Sequence, residues 1–225
     1  MISAADATLP TANHLRDGAL FREQAHIDGL WVGADDGGST AVTNPATGEV
    51  LGHVPAMGAA ETQRAIQAAE MAWPAWRGML AKERAAILRR WYDLMVEAKA
   101  DLAVLMTLEE GKPLHEARGE IDYAASFLLW FAEEAVRMYG ETVPSHKPGG
   151  RCIVTREPVG VTAAITPWNF PSAMITRKAG AALAAGCPMI VRPASETPYS
   201  ALALAELAER AGVPKGVFQV VTGSA

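Results

Sequence analysis

The chain has 225 residues, of which 50% are hydrophobic and 20% are charged, so it has enough apolar material for a folded core. Its formal net charge is -5 and it has no basic cluster, which argues against nucleic acid or an anionic membrane surface as a partner. Only Cys152 and Cys187 are present, too few for a disulfide framework and without the spacing of a zinc site, so we expect no metal and a cytosolic location.

The first segment, residues 1–25, has neither the basic start nor the apolar stretch of a secretory signal, and we predict a flexible N-terminal extension. No later apolar run reaches the roughly 18 residues that a membrane span requires. From 26 to 56, short β-rich pieces alternate with turn residues such as GADDGG (33–38), which predicts small antiparallel strand pairs.

A helical region follows from 60 to 140. Its clearest helix has apolar residues at helical spacing on one face and charged residues on the other. The apolar set is Ile87, Leu88, Trp91, Leu94 and Met95, and the charged set is Lys82, Glu83, Arg89, Arg90 and Glu97. A second helix is predicted from about 101 to Gly111, and a third over 114–139, ended by Gly140.

The pattern changes after 144–150, a Pro- and Gly-rich stretch that reads as a linker. From there strand-like runs alternate with helical ones, which predicts an α/β fold with a parallel sheet. The strands are RCIVTREP (151–158), GVTAAIT (160–166), PMIVR (188–192) and VFQVV (217–221), and the helices span 171–185 and 198–211. The apolar runs GVTAAIT and PMIVR are predicted to be buried strands.

Two loops follow these buried strands, and ligands of open parallel sheets bind at such strand ends. In the first loop, Pro167 ends the strand and Pro171 suits the start of a helix, so the two prolines fix Asn169 between them. Asn169 and, in the second loop, Ser195 are also compatible with ordinary helix capping, and spacing alone favours that interpretation. The chain has no G-x-G-x-x-G and no P-loop, so short motifs do not establish nucleotide binding.

A wider resemblance comes from longer stretches. The run from ITPWNFP to VVTGSA (165–225) resembles NAD(P)-dependent aldehyde dehydrogenases, most of all the succinate-semialdehyde dehydrogenase group. IDGLWV, VTNPATGEVLGHVP, LEEGKPLHEARGEI and GGRCIVTREPVGV resemble the same family in the same order. The resemblance implies that 26–225 is the N-terminal part of an aldehyde dehydrogenase-like domain. That fold would contain an incomplete doubly wound, Rossmann-type parallel sheet, preceded by helices and short N-terminal β hairpins.

The resemblance also implies a cofactor site for NADP or NAD. Asn169 matches the residue whose amide stabilises the oxyanion of the reacting aldehyde. Arg192 stands where the family usually has Lys, and Ser195 where NAD-preferring members often have Glu, so NADP is plausible and dual use stays open. The residues expected to contact the cofactor are Ile165, Thr166, Pro167, Trp168, Asn169, Arg192, Pro193, Ala194 and Ser195.

Arg177 and Lys178 interrupt an apolar helix, where a charge needs a partner. A structural ion pair is one interpretation of both residues. The resemblance implies instead that Arg177 binds the distal carboxylate of the substrate, which favours a semialdehyde acid such as succinate semialdehyde. Glu109, Glu110, Glu116 and Glu120 are expected to lie on solvated faces or to act as helix caps.

Neither Cys152 nor Cys187 matches the nucleophile of the family, and no glutamate matches its general base. Cys187 is expected to be a buried, inert side chain. The resemblance therefore implies an amino-terminal fragment that is inactive alone and belongs, when complete, to a homo-oligomer acting on a small aldehyde. An alternative is a non-catalytic nucleotide-binding or oligomerisation module that joins other copies through the strand at 151–158.

Overall fold

The structure is a computed structural model that describes residues 14–224. Within this range three antiparallel hairpins occur: β1 (Ala25–Ile27) with β2 (Leu30–Val32), β3 (Ser39–Thr43) with β4 (Val50–Pro55), and β5 (Glu141–Pro144) with β6 (Arg151–Val154). Four helices lie between the second and third hairpins: α1 (Ala59–Gly78), α2 (Ala81–Glu97), α3 (Lys99–Glu110) and α4 (Leu114–Ala135). The rest alternates as β7 (Thr162–Ile165), α5 (Ala173–Ala184), β8 (Met189–Arg192), α6 (Pro198–Arg210) and β9 (Phe218–Val220).

The main sheet has five strands in the order β2-β1-β9-β8-β7. β7 pairs with β8, and β8 with β9, in parallel, so the predicted α/β class and parallel sheet are confirmed. The N-terminal hairpins are confirmed as well, but β1 has an additional role. It pairs antiparallel with β9 through His26 and Val220, and the first hairpin thereby extends the main sheet.

The two strands predicted to be buried differ in their surroundings. β8 has a neighbour on each side, and its first three residues are buried as predicted. β7 lies at the edge of the sheet, with only Ala164 buried and Ile165 77% exposed. The prediction of a buried strand is therefore wrong for β7, because this part of the chain leaves its outer edge and the face at Ile165 uncovered.

The helices follow the sequence pattern closely. In α2 the predicted charged positions are all exposed, and Ile87, Leu88, Trp91 and Met95 are buried. α3 ends where Gly111 takes a left-handed conformation with φ 85°, which suits glycine. α4 ends at Ala135, four residues before the predicted end. Among residues 14–224, none of the helices combines the length and the apolar composition that a membrane crossing requires.

The stretch at 144–150 is not a linker between two regions. It forms the turn of the third hairpin, because β5 and β6 pair from Pro144↔Arg151 to Glu141↔Val154. The strand predicted at 151–158 is shorter, and all four residues of β6 are exposed. A Pro- and Gly-rich composition suits either a linker or a turn, and strand pairing decides between them.

The predicted extension, residues 1–25, divides into two parts. Residues 1–13 lie outside the described residues. The backbone N–H groups of Arg16 and Asp17 donate to the carboxylate of Asp101 at 3.1 and 2.9 Å, and Leu20 is fully buried. The prediction of a flexible extension is therefore wrong for residues 16–25. This segment packs on the helical core and leads directly into β1.

Candidate active site at the ends of two parallel strands

Two loops begin at the same end of the main sheet, where the parallel strands β7 and β8 have their carboxyl ends. Ile165 at the end of β7 pairs with Arg192 at the end of β8, and the N–H of Thr166 donates to the carbonyl of Arg192 at 3.1 Å. Each loop then leads into a helix, α5 or α6. The predicted residues of both loops therefore lie side by side at the carboxyl ends of parallel strands, where such sheets bind ligands.

The first loop presents most of its side chains at the surface. Thr166 is buried, whereas Ile165, Pro167, Trp168 and Asn169 are exposed in this chain. The carbonyl oxygen of Asn169 accepts a hydrogen bond from Lys112 Nζ at 2.9 Å. Within the described part of the chain, the side-chain amide of Asn169 has no hydrogen-bond partner, so its donors are free to meet a ligand.

Glu120, and not Asn169, caps helix α5. Its Oε1 accepts hydrogen bonds from the N–H groups of Ser172 at 3.1 Å and Ala173 at 3.3 Å, and Glu120 is only 4% exposed. These N–H groups are among those that a helix start leaves without an intrahelical partner. Because a carboxyl group from α4 already binds them, the capping interpretation of Asn169 does not hold.

Lys112 holds the first loop from the turn between α3 and α4. It forms an ion pair with Glu120 and lies 3.4 Å from Glu110 Oε2, with its Nζ 4.4 Å from the centroid of the Phe170 ring. Burial raises the pKa of Glu110, and Lys112 opposes that rise. The sequence context of Lys112 does not single it out. The available signal is a lysine that directly follows the Glu109-Glu110-Gly111 run at the end of a helix.

The second loop is tied to the chain beyond β9. Arg192 Nη2 donates to the carbonyl of Gly223 at 2.8 Å and to Ser195 Oγ at 3.2 Å. Pro193 and Ala194 are buried, and Ser195 is partly exposed. The side chain of Ser195 does not cap α6, so its capping interpretation fails too. Nε and Nη1 of Arg192 have no acceptor among residues 14–224, which leaves donors for an anionic ligand.

Glu109 caps helix α6 as Glu120 caps α5. Its two carboxyl oxygens accept hydrogen bonds from the N–H groups of Tyr199 at 2.7 Å and Ser200 at 2.8 Å. Burial raises the pKa of Glu109 from 4.5 to about 8, although hydrogen bonds from Ser200 and Tyr199 work in the other direction. The expectation of caps is confirmed for Glu109 and Glu120, whereas a solvated position is wrong for both.

Arg177 lies on α5 with an exposed guanidinium group. Its Cζ is 5.1 Å from the centroid of the Phe127 ring on α4, and its Nη1 lies 3.6 Å from Met174 Sδ. Lys178 Nζ donates to the carbonyl of Met174 at 3.0 Å. Neither cation has an acidic partner in the part of the chain that the structure covers, so the ion-pair interpretation is wrong for these residues.

The two cysteines lie outside both loops. Cys152 is exposed on β6, and Cys187 is 3% exposed, so the expectation that Cys187 is buried is confirmed. Among the described residues, no group of His, Cys, Asp or Glu could hold a metal ion. Asn169 and Arg192, at the ends of β7 and β8, offer hydrogen-bond donors, and Arg177 adds a positive charge on the helix that follows the first loop.

The chain is similar to known proteins over most of its length. The model of the aldehyde dehydrogenase family matches residues 31–225. Over 211 residues the chain is 71% identical to the glutarate-semialdehyde dehydrogenase of Pseudomonas aeruginosa and 66% identical to the succinate-semialdehyde dehydrogenase (NADP+) GabD of Escherichia coli. A crystal structure of an NADP-dependent enzyme of Escherichia coli superposes with a TM-score of 0.93 at 66% identity. Each match covers 94% of this chain and 44% of the relative.

We predict that Glu109 makes the stability of the fold depend on pH. Its pKa is about 8 in the folded chain and near 4.5 when exposed, so in that window the folded state keeps a proton that the unfolded state has lost. The free energy of unfolding should therefore fall as the pH rises from about 5 to 8, by up to about 1.4 kcal/mol per unit from this group.

Urea unfolding of the chain at several pH values measures this slope. Glu109→Gln should flatten it, since glutamine keeps the shape but does not titrate. Glu116→Gln, at a glutamate whose side chain is 58% exposed, is the matched control and should leave the slope unchanged. An equal slope in the parent chain and in Glu109→Gln would contradict the assignment.

Proposed function

The chain belongs to the aldehyde dehydrogenase family, and on that premise we propose that it serves the NAD(P)-dependent oxidation of a semialdehyde acid, such as succinate semialdehyde, to the dicarboxylic acid. The chain spans 44% of the length of the relatives named above, so the activity belongs to the protein formed with the remaining family elements. The observation that carries the proposal is the side-chain amide of Asn169. It lies in the loop after β7 and is free of hydrogen bonds within residues 14–224, because Glu120 already caps the start of α5.

Asn169 has the proposed role of oxyanion donor. When a thiolate adds to the aldehyde carbon, negative charge develops on the carbonyl oxygen, and a fixed N–H donor stabilises that charge without having to reorganise. Two features support the role. The main chain of Asn169 is held by Lys112, and its side chain has no competing acceptor among residues 14–224.

The cofactor is proposed to be NADP or NAD, bound across the two loops. When bound, it supplies the nicotinamide ring that accepts the hydride. Residues 165–169 would line its nicotinamide side, and Arg192 to Ser195 its adenosine side. Arg192 fits a phosphate or ribose because Gly223 fixes one nitrogen of its guanidinium group while the other two stay available. Ser195 puts no negative charge near a 2′-phosphate, which favours NADP.

Arg177 is proposed to bind the distal carboxylate of the substrate. Its guanidinium group is exposed and lies against the Phe127 ring, without a carboxylate in the described range that would neutralise it. Arginine binds carboxylates through two parallel hydrogen bonds, so a free and restrained guanidinium group suits a semialdehyde acid better than an uncharged aldehyde.

The third hairpin is proposed to join copies of the protein into a homo-oligomer. Every residue of β5 and β6 is exposed, and Ile153 is 76% exposed. The outer edge of β6 offers unpaired backbone groups to another strand, since β5 and β6 form a separate two-stranded sheet. Such an edge is usually covered or paired in a stable protein.

We predict that Arg177 controls selectivity for acidic aldehydes. The test uses a hybrid enzyme in which this chain replaces the matching part of the Pseudomonas aeruginosa relative. Arg177→Ala should raise the KM for succinate semialdehyde by about 10- to 100-fold, since a hydrogen bond to a charged group contributes about 1.5–3 kcal/mol. The KM for butyraldehyde, which has no carboxylate, should change less than about twofold.

Two controls accompany this measurement of NADPH formation. Arg89→Ala removes an exposed arginine that lies 5.6 Å from the Tyr92 ring on α2, and it should change neither KM. The 225-residue chain alone is the blank, because Cys152 lies on an exposed hairpin and Cys187 is buried, so neither cysteine suits the nucleophile. Equal effects of Arg177→Ala on both aldehydes would refute the role of Arg177 in binding the carboxylate. Turnover by the blank would refute the inference that neither cysteine is the nucleophile.

We predict that Ser195 sets the preference for NADP over NAD. In the hybrid enzyme, Ser195→Glu should lower the ratio of kcat/KM for NADP to that for NAD by about 10- to 100-fold, because a carboxylate repels a 2′-phosphate in its vicinity. Ser195→Gln has the same shape as the glutamate variant without its charge and should retain most of the ratio. Similar ratios in the two variants would show that size, and not charge, decides the preference.

We predict that Ile153 contributes to the oligomer interface. Ile153→Lys places a charge on the exposed strand β6 and should shift the hybrid enzyme towards smaller species in size-exclusion chromatography with light scattering. Val50→Lys is the matched control, since Val50 is 55% exposed on another hairpin. An unchanged molar mass for Ile153→Lys, at concentrations where the parent is oligomeric, would place the interface elsewhere.

A further inference from the structure

Lys112 is a nearly buried cation with an unusual set of neighbours. Its side chain is 11% exposed, and that of its partner Glu120 is 1% exposed. The remaining contacts are Glu110 at 3.4 Å, the carbonyl oxygen of Asn169 at 2.9 Å and the ring of Phe170. One ammonium group thus joins the turn after α3, the helix α4 and the loop after β7.

Glu120 and Lys112 fix different parts of this loop. Glu120 binds the N–H groups of Ser172 and Ala173, where the loop becomes helix α5. Lys112 binds the main chain of Asn169 itself and packs against Phe170, which precedes Pro171. The loop is therefore held at Asn169 and at its exit, from the side of α3 and α4, while the Asn169 side chain has no support of its own.

The direction of the Asn169 amide consequently depends on its main chain. A side-chain amide with no hydrogen bond of its own has only its rotamers and its backbone to aim it. The Lys112 contact is the hydrogen bond that holds the Asn169 backbone within residues 14–224. A displacement of about 1 Å at a reacting group can cost about 100-fold in rate.

We propose that Lys112 is a positioning residue for the reaction: by binding the Asn169 carbonyl and the Glu120 carboxylate together, it aims the Asn169 amide at the oxyanion. This inference rests on the proposed function, because it gives Asn169 the role of oxyanion donor. Lys112 itself touches neither substrate nor cofactor in this account. Its effect should therefore appear in the chemical step and vanish when Asn169 loses its amide.

The decisive test is a double-mutant cycle in the hybrid enzyme. Lys112→Met keeps the apolar stem but removes the ammonium group, and we expect it to lower kcat by about 10- to 100-fold with little change in the KM for NADP. Asn169→Ala should lower kcat by about 100- to 1000-fold, the usual effect of removing one oxyanion donor. In the Asn169→Ala background, Lys112→Met should cost less than about twofold more.

Two further variants separate positioning from folding. Lys112→Met leaves the buried carboxyl groups of Glu120 and Glu110 unpaired. Lys112→Met combined with Glu120→Gln and Glu110→Gln therefore removes all three charges and retains an acceptor for the start of α5. We expect this combination to fold and to show the same loss of kcat. Lys99→Met is the matched control, because it breaks the ion pair of Lys99 with Asp122 on the same helix α4 without touching the loop.

Hydrogen exchange of the hybrid enzyme gives a readout independent of turnover. Lys112→Met should speed exchange at the N–H groups of Ser172 and Ala173, which begin α5. Exchange at Tyr199 and Ser200, held by Glu109 at the start of α6, should be unchanged and serves as the internal reference.

The outcomes distinguish the two proposals. If Asn169→Ala turns over as fast as the parent, the oxyanion role fails and the proposed function fails with it. If Asn169→Ala is impaired but Lys112→Met and the charge-free combination keep full kcat, only the positioning role is overturned. Equal losses from Lys112→Met with and without the Asn169 amide would likewise overturn it, since they would show a general effect on the fold.

Discussion

Two buried carboxyl groups from one stretch of chain hold both loops of the candidate site. Glu109 binds the first N–H groups of α6, and Glu120 binds those of α5. A helix start that is buried without partners for its N–H groups is costly, so some group has to supply the acceptors. Here the acceptors come from helices α3 and α4, which ties the helical half of the chain to the parallel sheet at the ends of its strands.

Because Glu109 and Glu120 cap the two helices, the polar side chains of the loops are not needed as caps. The local candidates for capping are Asn169 before α5 and Ser195 before α6, and neither binds the helix that follows. Ser195 instead contacts Arg192 and Gly223, and the Asn169 amide points to no acceptor within residues 14–224. A binding site requires polar side chains that are held near the strand ends and are not used to cap a helix.

Local patterns predicted the parts of this fold that depend on periodicity. The buried face of α2, the buried strand β8 and the end of α3 at Gly111 follow from residues within one or two turns of each other. The family resemblance predicted the fold as a whole, and the comparisons confirm it. Neither the local patterns nor the family resemblance predicted individual contacts between residues that are distant in the sequence. Glu109 and Tyr199 are 90 positions apart, and the pairing of β1 with β9 has no signal in either strand alone.

Helix α4 links the two ends of the proposed substrate site. Its first turns carry Glu120, which fixes the start of α5 and so the loop of Asn169, and Phe127 two turns later supports Arg177 on α5. The two helices come close at Gly180, where a Cβ atom would lie 3.0 Å from the Phe131 ring and 3.4 Å from the Phe127 carbonyl. Because packed helices resist small shifts, helix α5, which carries Arg177 and follows the Asn169 loop, is held on α4 both at its start and in its middle.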